Sequence, residues 1–195
     1  MNNEPLAIEH AEDSTTLFGF WMYLMTDFVL FASLFAVFVV LRGNTFGGVS
    51  GSQIFSAPFV LAETLILLTS SFTCGLALLA ARAGSKRGVL LSLLATFALG
   101  AAFVVMEISE FGKLIAQGSG PQQSGFLSSY FTLVGTHGLH VALGSVWLLI
   151  MMLVILRRGL SRSNMRKLML FAMFWHFLDI IWIFIFTIVY MMGIV

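Results

Sequence analysis

Two pairs of ionisable side chains occur at helical spacing inside long apolar stretches of the chain. His137 and His140 lie three residues apart, and so do His176 and Asp179. Residues three apart share one face of an α-helix, so each pair is placed to give two ligands to one metal ion. A catalytic iron or copper centre in a helical bundle needs more imidazoles than these stretches hold. The ligand count therefore favours the alternative, in which these four residues form hydrogen bonds between helices.

Four carboxylic acids also fall within the apolar stretches or at their edges: Asp27, Glu63, Glu107 and Glu110. A charge at the centre of a bilayer costs about 2.5–3.5 kcal/mol on insertion scales, so such residues are paired, neutral or functional. We treat all four as candidates for proton exchange or for binding a lipid headgroup. For Asp27, alone in its stretch, the alternative is a neutral side chain that bonds to a backbone carbonyl.

Glycines beside the first pair indicate how the helices that carry these residues are packed. Gly135, Gly138 and Gly144 lie in the same apolar stretch as His137. Small residues allow the backbones of two membrane helices to approach closely. We therefore expect the helices that carry His137 and His176 to face each other.

The composition is that of an integral membrane protein. Hydrophobic residues make up 59% of the 195 residues and charged residues only 10%. Apolar stretches bounded by Gly, Ser, Asn, Pro and basic residues predict an all-α bundle of five transmembrane helices. The expected helices cover residues 17–41, 57–82, 88–112, 125–158 and 165–192. Residues 1–16 are expected to form a polar, flexible cytoplasmic tail, and residues 17–195 a single membrane domain.

The distribution of Lys and Arg predicts the orientation of the bundle. The side that holds the N-terminus carries eight of them: Arg82, Lys86, Arg87, Arg157, Arg158, Arg162, Arg166 and Lys167. The other side carries Arg42 and Lys113. Positive loops stay in the cytoplasm, so we expect a cytoplasmic N-terminus and a periplasmic C-terminus. A net charge of +1, without a basic run among aromatic residues, gives no indication of a nucleic-acid partner.

Several motifs resemble subunit III of the haem–copper terminal oxidases. They are Met106-Glu-Ile-Ser-Glu-Phe111, Gly135-Thr-His-Gly-Leu-His-Val141, Phe174-Trp-His-Phe-Leu-Asp-Ile-Ile-Trp182 and Ile185-Phe-Thr-Ile-Val-Tyr190. The resemblance extends from about Phe18 to the C-terminus. Within the family, the five-helix length and two further motifs look most like the cytochrome o ubiquinol oxidase branch. These motifs are Phe18-Gly-Phe-Trp-Met-Tyr-Leu-Met-Thr-Asp27 and Gly120-Pro-Gln-Gln-Ser-Gly-Phe126.

The resemblance implies a place in a bacterial respiratory complex that oxidises ubiquinol, reduces oxygen to water and pumps protons. In that family the haems and copper belong to subunit I, which implies no cofactor, no metal and no catalytic centre on this chain. It also implies subunit I as the main contact, further oxidase subunits and phospholipids as partners, and the bacterial inner membrane as the location. A supporting role in the stability and proton supply of subunit I is expected.

Two features differ from the cytochrome c oxidases of the same family. The family's reactive intramembrane carboxylate falls on Asp27, where cytochrome c oxidases usually have Glu. The seven-helix form of the family has an additional N-terminal pair of helices that this sequence lacks. Both differences favour the quinol oxidase branch.

The sequence leaves alternatives to a quinol oxidase subunit. Within the family, they are a subunit III of a cytochrome c oxidase or of a nitric oxide reductase complex. Outside it stands a membrane transporter, in which the His and acidic residues would form a substrate relay. A transporter is expected to have broken helices and internal repeats, but Pro is absent from the interiors of the expected helices.

Overall fold

The computed structural model describes residues 4–47, 51 and 55–194, which form long helices and contain no strand. The helices are α1 (Glu4–Leu41), α2 (Ala57–Arg82), α3 (Lys86–Ala116), α4 (Gly125–Arg158) and α5 (Arg162–Ile185). A π-helical segment, Phe186–Met191, continues α5 and is followed by the short helix Met192–Ile194. Five segments are long and apolar enough to cross a membrane: Thr15–Leu41, Ala57–Arg82, Lys86–Ala116, Gly125–Arg158 and Arg162–Met191. The predicted all-α fold with five transmembrane helices is therefore confirmed.

Serine caps define where three of the helices begin. The side chains of Ser85, Ser124 and Ser161 accept hydrogen bonds from backbone N–H groups in the first turns of α3, α4 and α5. A serine oxygen in this position satisfies one of the N–H groups that a helix start leaves unpaired. Gly159 ends α4 with a φ of 71°, a conformation that glycine adopts without strain. These local signals explain why α4 covers the range expected from the sequence.

The first helix differs from the expectation, because α1 begins at Glu4 and not at Leu17. The segment expected to be a flexible tail is therefore helical from Glu4 onward. Pro5 suits the first turn of a helix, and acidic residues favour the N-terminal end of a helix. The polarity of these residues correctly indicated that the apolar span begins near Leu17, and the span begins at Thr15. Polarity did not show that the helix itself begins earlier.

The last helix, α5, is the most buried of the five spans. It packs against α4, α2 and α1, while α3 packs against α2 and α4. Trp175 of α5 is 1% exposed and lies against two glycines of neighbouring helices. A Cβ atom would come within 2.9 Å of its ring at Gly100 and within 3.0 Å at Gly144. These glycines therefore allow close packing inside the bundle.

Candidate functional site

Three of the four predicted carboxylic acids meet in an acidic cluster, which we define as Glu63, Glu107, Glu110, Tyr130 and Tyr190. The start of α2 and the end of α3 bring Glu63 into electrostatic contact with both other acids. The Tyr190 hydroxyl donates to Glu110 Oε2 over 3.2 Å, and the two tyrosine hydroxyl oxygens lie 3.1 Å apart. The sequence identified each acid as a candidate, but it did not predict that three of them meet or that tyrosines join them.

The acidic cluster is enclosed by the bundle. Glu63 is 0% exposed and Glu107 is 4% exposed. Both carboxyl oxygens of Glu63, and Oε2 of Glu107, have no hydrogen-bond partner among the described residues. A Cβ atom at Gly138 of α4 would overlap with the Glu107 carboxyl group, so glycine makes room for this acid. An unpaired buried carboxylate is unfavourable, so the arrangement is suited to carboxyl groups that hold or share protons.

His137 connects α4 to α5. Its side chain is 0% exposed, and Nε2 donates to the backbone carbonyl of Leu178 over 3.2 Å. Because a carbonyl only accepts, this contact places a proton on Nε2. The ring lies beside Phe103 and Trp182, with centroid distances of 5.7 and 5.1 Å. The contact agrees with the expectation that the helices carrying His137 and His176 face each other.

His140 is directed toward α1 and lies beside Asp27. Its Nδ1 donates to the carbonyl of Thr136 over 2.7 Å, while Nε2 lies 3.9 Å from Asp27 Oδ1. Tyr23, one turn before Asp27 on α1, also interacts electrostatically with this carboxyl group. Asp27, alone among the acids in its apolar stretch, thus has an imidazole beside it through the packing of α1 on α4. A proton on either Asp27 or His140 Nε2 would make the pair attractive.

His176 and Asp179 are directed toward α2. The Nδ1 atom of His176 lies 2.5 Å from Ser71 Oγ, and Ser71 also interacts electrostatically with Asp179. Asp179 Oδ2 is buried and has no hydrogen-bond partner within the described ranges. The Ser71 hydroxyl thus connects α2 to the imidazole of His176 on α5.

These residues are distributed over three helix contacts. His137 bonds to α5, His140 lies against α1, and His176 lies against α2. In the described part of the chain, no group of three His, Cys, Asp or Glu residues is arranged to hold a metal ion. The geometry supports hydrogen bonding between helices and the holding of protons by buried carboxyl groups.

Sequence reasoning missed several polar contacts of aromatic residues. Trp175 Nε1 donates to Ser70 Oγ and Trp182 Nε1 donates to Thr64 Oγ1, each over 3.1 Å. Tyr190 was not identified as a partner of the acids either. A buried tryptophan or tyrosine usually finds a partner for its polar atom, so these rings inside apolar stretches were the available signal. The identity of their partners depends on how the helices pack.

The fold and its polar core define a multi-pass, all-helical membrane protein. The family model described as cytochrome c oxidase subunit III matches residues 9–194. The chain belongs to the cytochrome c oxidase subunit III family. The resemblance noted in the sequence is therefore confirmed.

Relatives from several bacteria match nearly the whole chain. The cytochrome bo(3) ubiquinol oxidase subunit 3 of Pseudomonas aeruginosa is 57% identical over 187 residues, which cover 95% of this chain and 90% of the relative. The subunit of the same name from Buchnera aphidicola is 43% identical over 93% of this chain and 94% of the relative. The quinol oxidase subunit 3 of Bacillus subtilis is 41% identical over 98% of this chain and 94% of the relative.

Proposed function

We propose that the chain is the non-catalytic subunit III of a proton-pumping bacterial ubiquinol:oxygen oxidoreductase of the cytochrome o type. The observation that carries this proposal is the 57% identity over 95% of the chain to a relative named cytochrome bo(3) ubiquinol oxidase subunit 3. The match covers all five spans, so it concerns the whole bundle and not one motif.

In this proposal the haems and copper belong to subunit I, and this chain stabilises that subunit. The hydrogen bonds of the imidazoles support this division. His137 Nε2 bonds to a backbone carbonyl of α5, and His176 Nδ1 bonds to a hydroxyl of α2. One nitrogen of each ring is therefore used for a contact between helices of this chain.

The orientation follows from the basic residues at the helix ends. The loop between α2 and α3 and the loop between α4 and α5 lie on the same side as the N-terminus. The eight Lys and Arg residues on that side, against two on the other, support a cytoplasmic N-terminus in the bacterial inner membrane.

The buried acids support a role in proton supply. Asp27 and His140 lie 3.9 Å apart between α1 and α4, so two groups that can each carry a proton face each other there. Glu63, Glu107 and Glu110 form a second group of carboxyl oxygens in the acidic cluster. We include phospholipid contacts in the proposal, since the outer faces of the helices carry many exposed apolar side chains.

Purification of the tagged chain from native membranes in mild detergent tests the proposal. We expect a complex that contains a haem-bearing subunit, shows a haem spectrum and reduces oxygen with ubiquinol as the electron donor. A complex that oxidises cytochrome c but not ubiquinol would contradict the assignment to the quinol oxidases. A chain that purifies without any haem-bearing subunit would contradict the proposed function as a whole.

A further inference from the structure

An open groove lies along the outer side of α2 and reaches α5. Its volume is about 480 Å³, and its polar members are Ser71 and His176. The remaining lining comes from α2: Leu68, Phe72, Gly75, Leu76 and Leu79. The groove is therefore apolar except where the hydroxyl of α2 meets the imidazole of α5.

The polar end of the groove lies near the middle of the membrane. Ser71 is 14 residues from Ala57, the first residue of α2, which corresponds to about 21 Å at a rise of about 1.5 Å per residue. His176 is likewise 14 residues from Arg162, the first residue of α5. Phospholipid headgroups lie outside a hydrocarbon core of about 30 Å. A phospholipid in this groove would present only an acyl chain to the imidazole.

The imidazole of His176 has one nitrogen to offer to a partner. Its Nδ1 is bonded to the Ser71 hydroxyl. The other ring nitrogen, Nε2, is left for a group outside the described residues. A polar atom that faces hydrocarbon at this depth is unfavourable, so a hydrogen-bonding occupant is favoured over an acyl chain.

We propose that the groove binds a transmembrane helix of a partner subunit, and that this helix brings a Ser or Thr hydroxyl to His176 and a small residue to Gly75. This inference rests on the proposed function, which supplies the partner subunits. A hydroxyl group can donate or accept, so it complements Nε2 in either tautomer. A Cβ atom at Gly75 would meet nothing within 4 Å, which leaves room for a closely packed helix.

The shape of the groove favours a helix over a small lipophilic molecule. Leu68, Phe72 and Leu79 form a ridge along three turns of α2. His176 forms the α5 side of the groove, which is open along its outer side. A helix can contact this extended surface along its length. A small ligand would be covered on one side only, whereas ligand pockets enclose most of the ligand surface.

Photocrosslinking in the purified complex tests this inference. A photoreactive benzoyl-phenylalanine replaces Phe72, which lines the groove and is 67% exposed. We expect crosslinks to one transmembrane segment of another subunit, identified by mass spectrometry. The same amino acid at Val105 of α3, which is 63% exposed, serves as the control and is expected to react about tenfold less with protein. Crosslinks at position 72 to lipid or quinone alone, or equal protein yields at both positions, would overturn the inference.

Two variants test the same surface without a photoreactive group. Gly75→Trp fills the groove, and His176→Leu removes its hydrogen bond. We expect each to lower the amount of subunit retained in the purified complex by about tenfold, against less than twofold for Val105→Trp. Amounts of the chain in membranes before solubilisation distinguish loss of binding from loss of folding. Full retention of both variants would contradict the inference.

These outcomes separate the inference from the function on which it rests. If the chain does not purify with a haem-bearing subunit, the proposed function fails. If it does, but the groove binds no helix, the function stands and only the inferred surface is wrong.

Discussion

The acidic cluster and the Ser71–His176 pair show two ways in which polar groups are accommodated in one membrane bundle. Glu63 of the cluster is 0% exposed and is surrounded by helices of the chain itself. His176 lies at the edge of an open groove. The cluster is therefore expected to determine the stability of the bundle, whereas the pair is expected to determine what binds beside it.

The two regions also differ in how their hydrogen bonds are satisfied. In the acidic cluster, Tyr190 donates to Glu110, while Glu63 has no hydrogen-bond partner among the described residues. At the groove, Ser71 bonds to His176. Substitutions in the cluster should thus change unfolding according to the bonds that each removes.

The largest effect is expected at Gly138. Because a Cβ atom there would overlap with the Glu107 carboxyl group, Gly138→Val should lower the free energy of unfolding by about 3 kcal/mol. Titration with SDS, followed by the loss of helical circular dichroism, measures this change. Gly112→Val is the control, since a Cβ atom at Gly112 would meet nothing within 4 Å. Equal effects of both substitutions would show that Glu107 is not held against α4.

A smaller effect is expected for Tyr190→Phe, which removes a hydroxyl that contacts Glu110 and Tyr130. Loss of a buried hydrogen bond to an acidic group should lower the free energy of unfolding by about 1–3 kcal/mol. The same SDS titration measures it. If the variant is as stable as the unmodified chain, the Tyr190 hydroxyl does not stabilise the acidic cluster.

Glu63→Leu tests whether the Glu63 carboxyl group contributes to the stability of the acidic cluster. The Glu63 carboxyl group makes no hydrogen bond to the described residues, so its replacement by an apolar group of similar size breaks none of them. We expect a change in the free energy of unfolding of less than about 1 kcal/mol, or a gain in stability. A loss as large as that of Tyr190→Phe would mean that Glu63 is bonded in the membrane.

The smallest effect on stability is expected for Asp27→Asn. Asp27 lies 3.9 Å from His140, beyond hydrogen-bond distance, so assembly should remain intact and the free energy of unfolding should change by less than about 0.5 kcal/mol. Proton uptake or turnover inactivation of the complex in liposomes should change instead. Ser33→Ala, at an exposed position of α1, is the control. If neither property differs between variant and control, Asp27 has only a packing role.

Local signals in the sequence determined much of the fold. Pro58 and the basic turn from Arg82 to Arg87 mark the ends of α2, while Gly125 and Arg158 bound α4 as expected. The tail at residues 1–16 was misjudged because polarity shows where a membrane span begins, not where a helix begins.

The candidate site was predictable as single residues but not as an arrangement. Each candidate residue was identified because a His or acidic side chain inside an apolar stretch is unfavourable unless it is paired or functional. Their partners could not be identified, because His140 reaches Asp27 only through the packing of α1 on α4. Tyr190 reaches Glu110 because the π-helical segment that continues α5 lies beside the end of α3. Such meetings depend on helix packing, which one sequence does not reveal.

The central claim is that the acids and imidazoles of this chain hold helices and protons, while the redox centres belong to another subunit. Expression of the chain alone, followed by a visible spectrum and metal analysis of the purified protein, tests it most directly. The account predicts a folded helical protein with no haem band and no stoichiometric iron or copper. A haem band, a bound redox metal, or oxidation of ubiquinol by the isolated chain would contradict it.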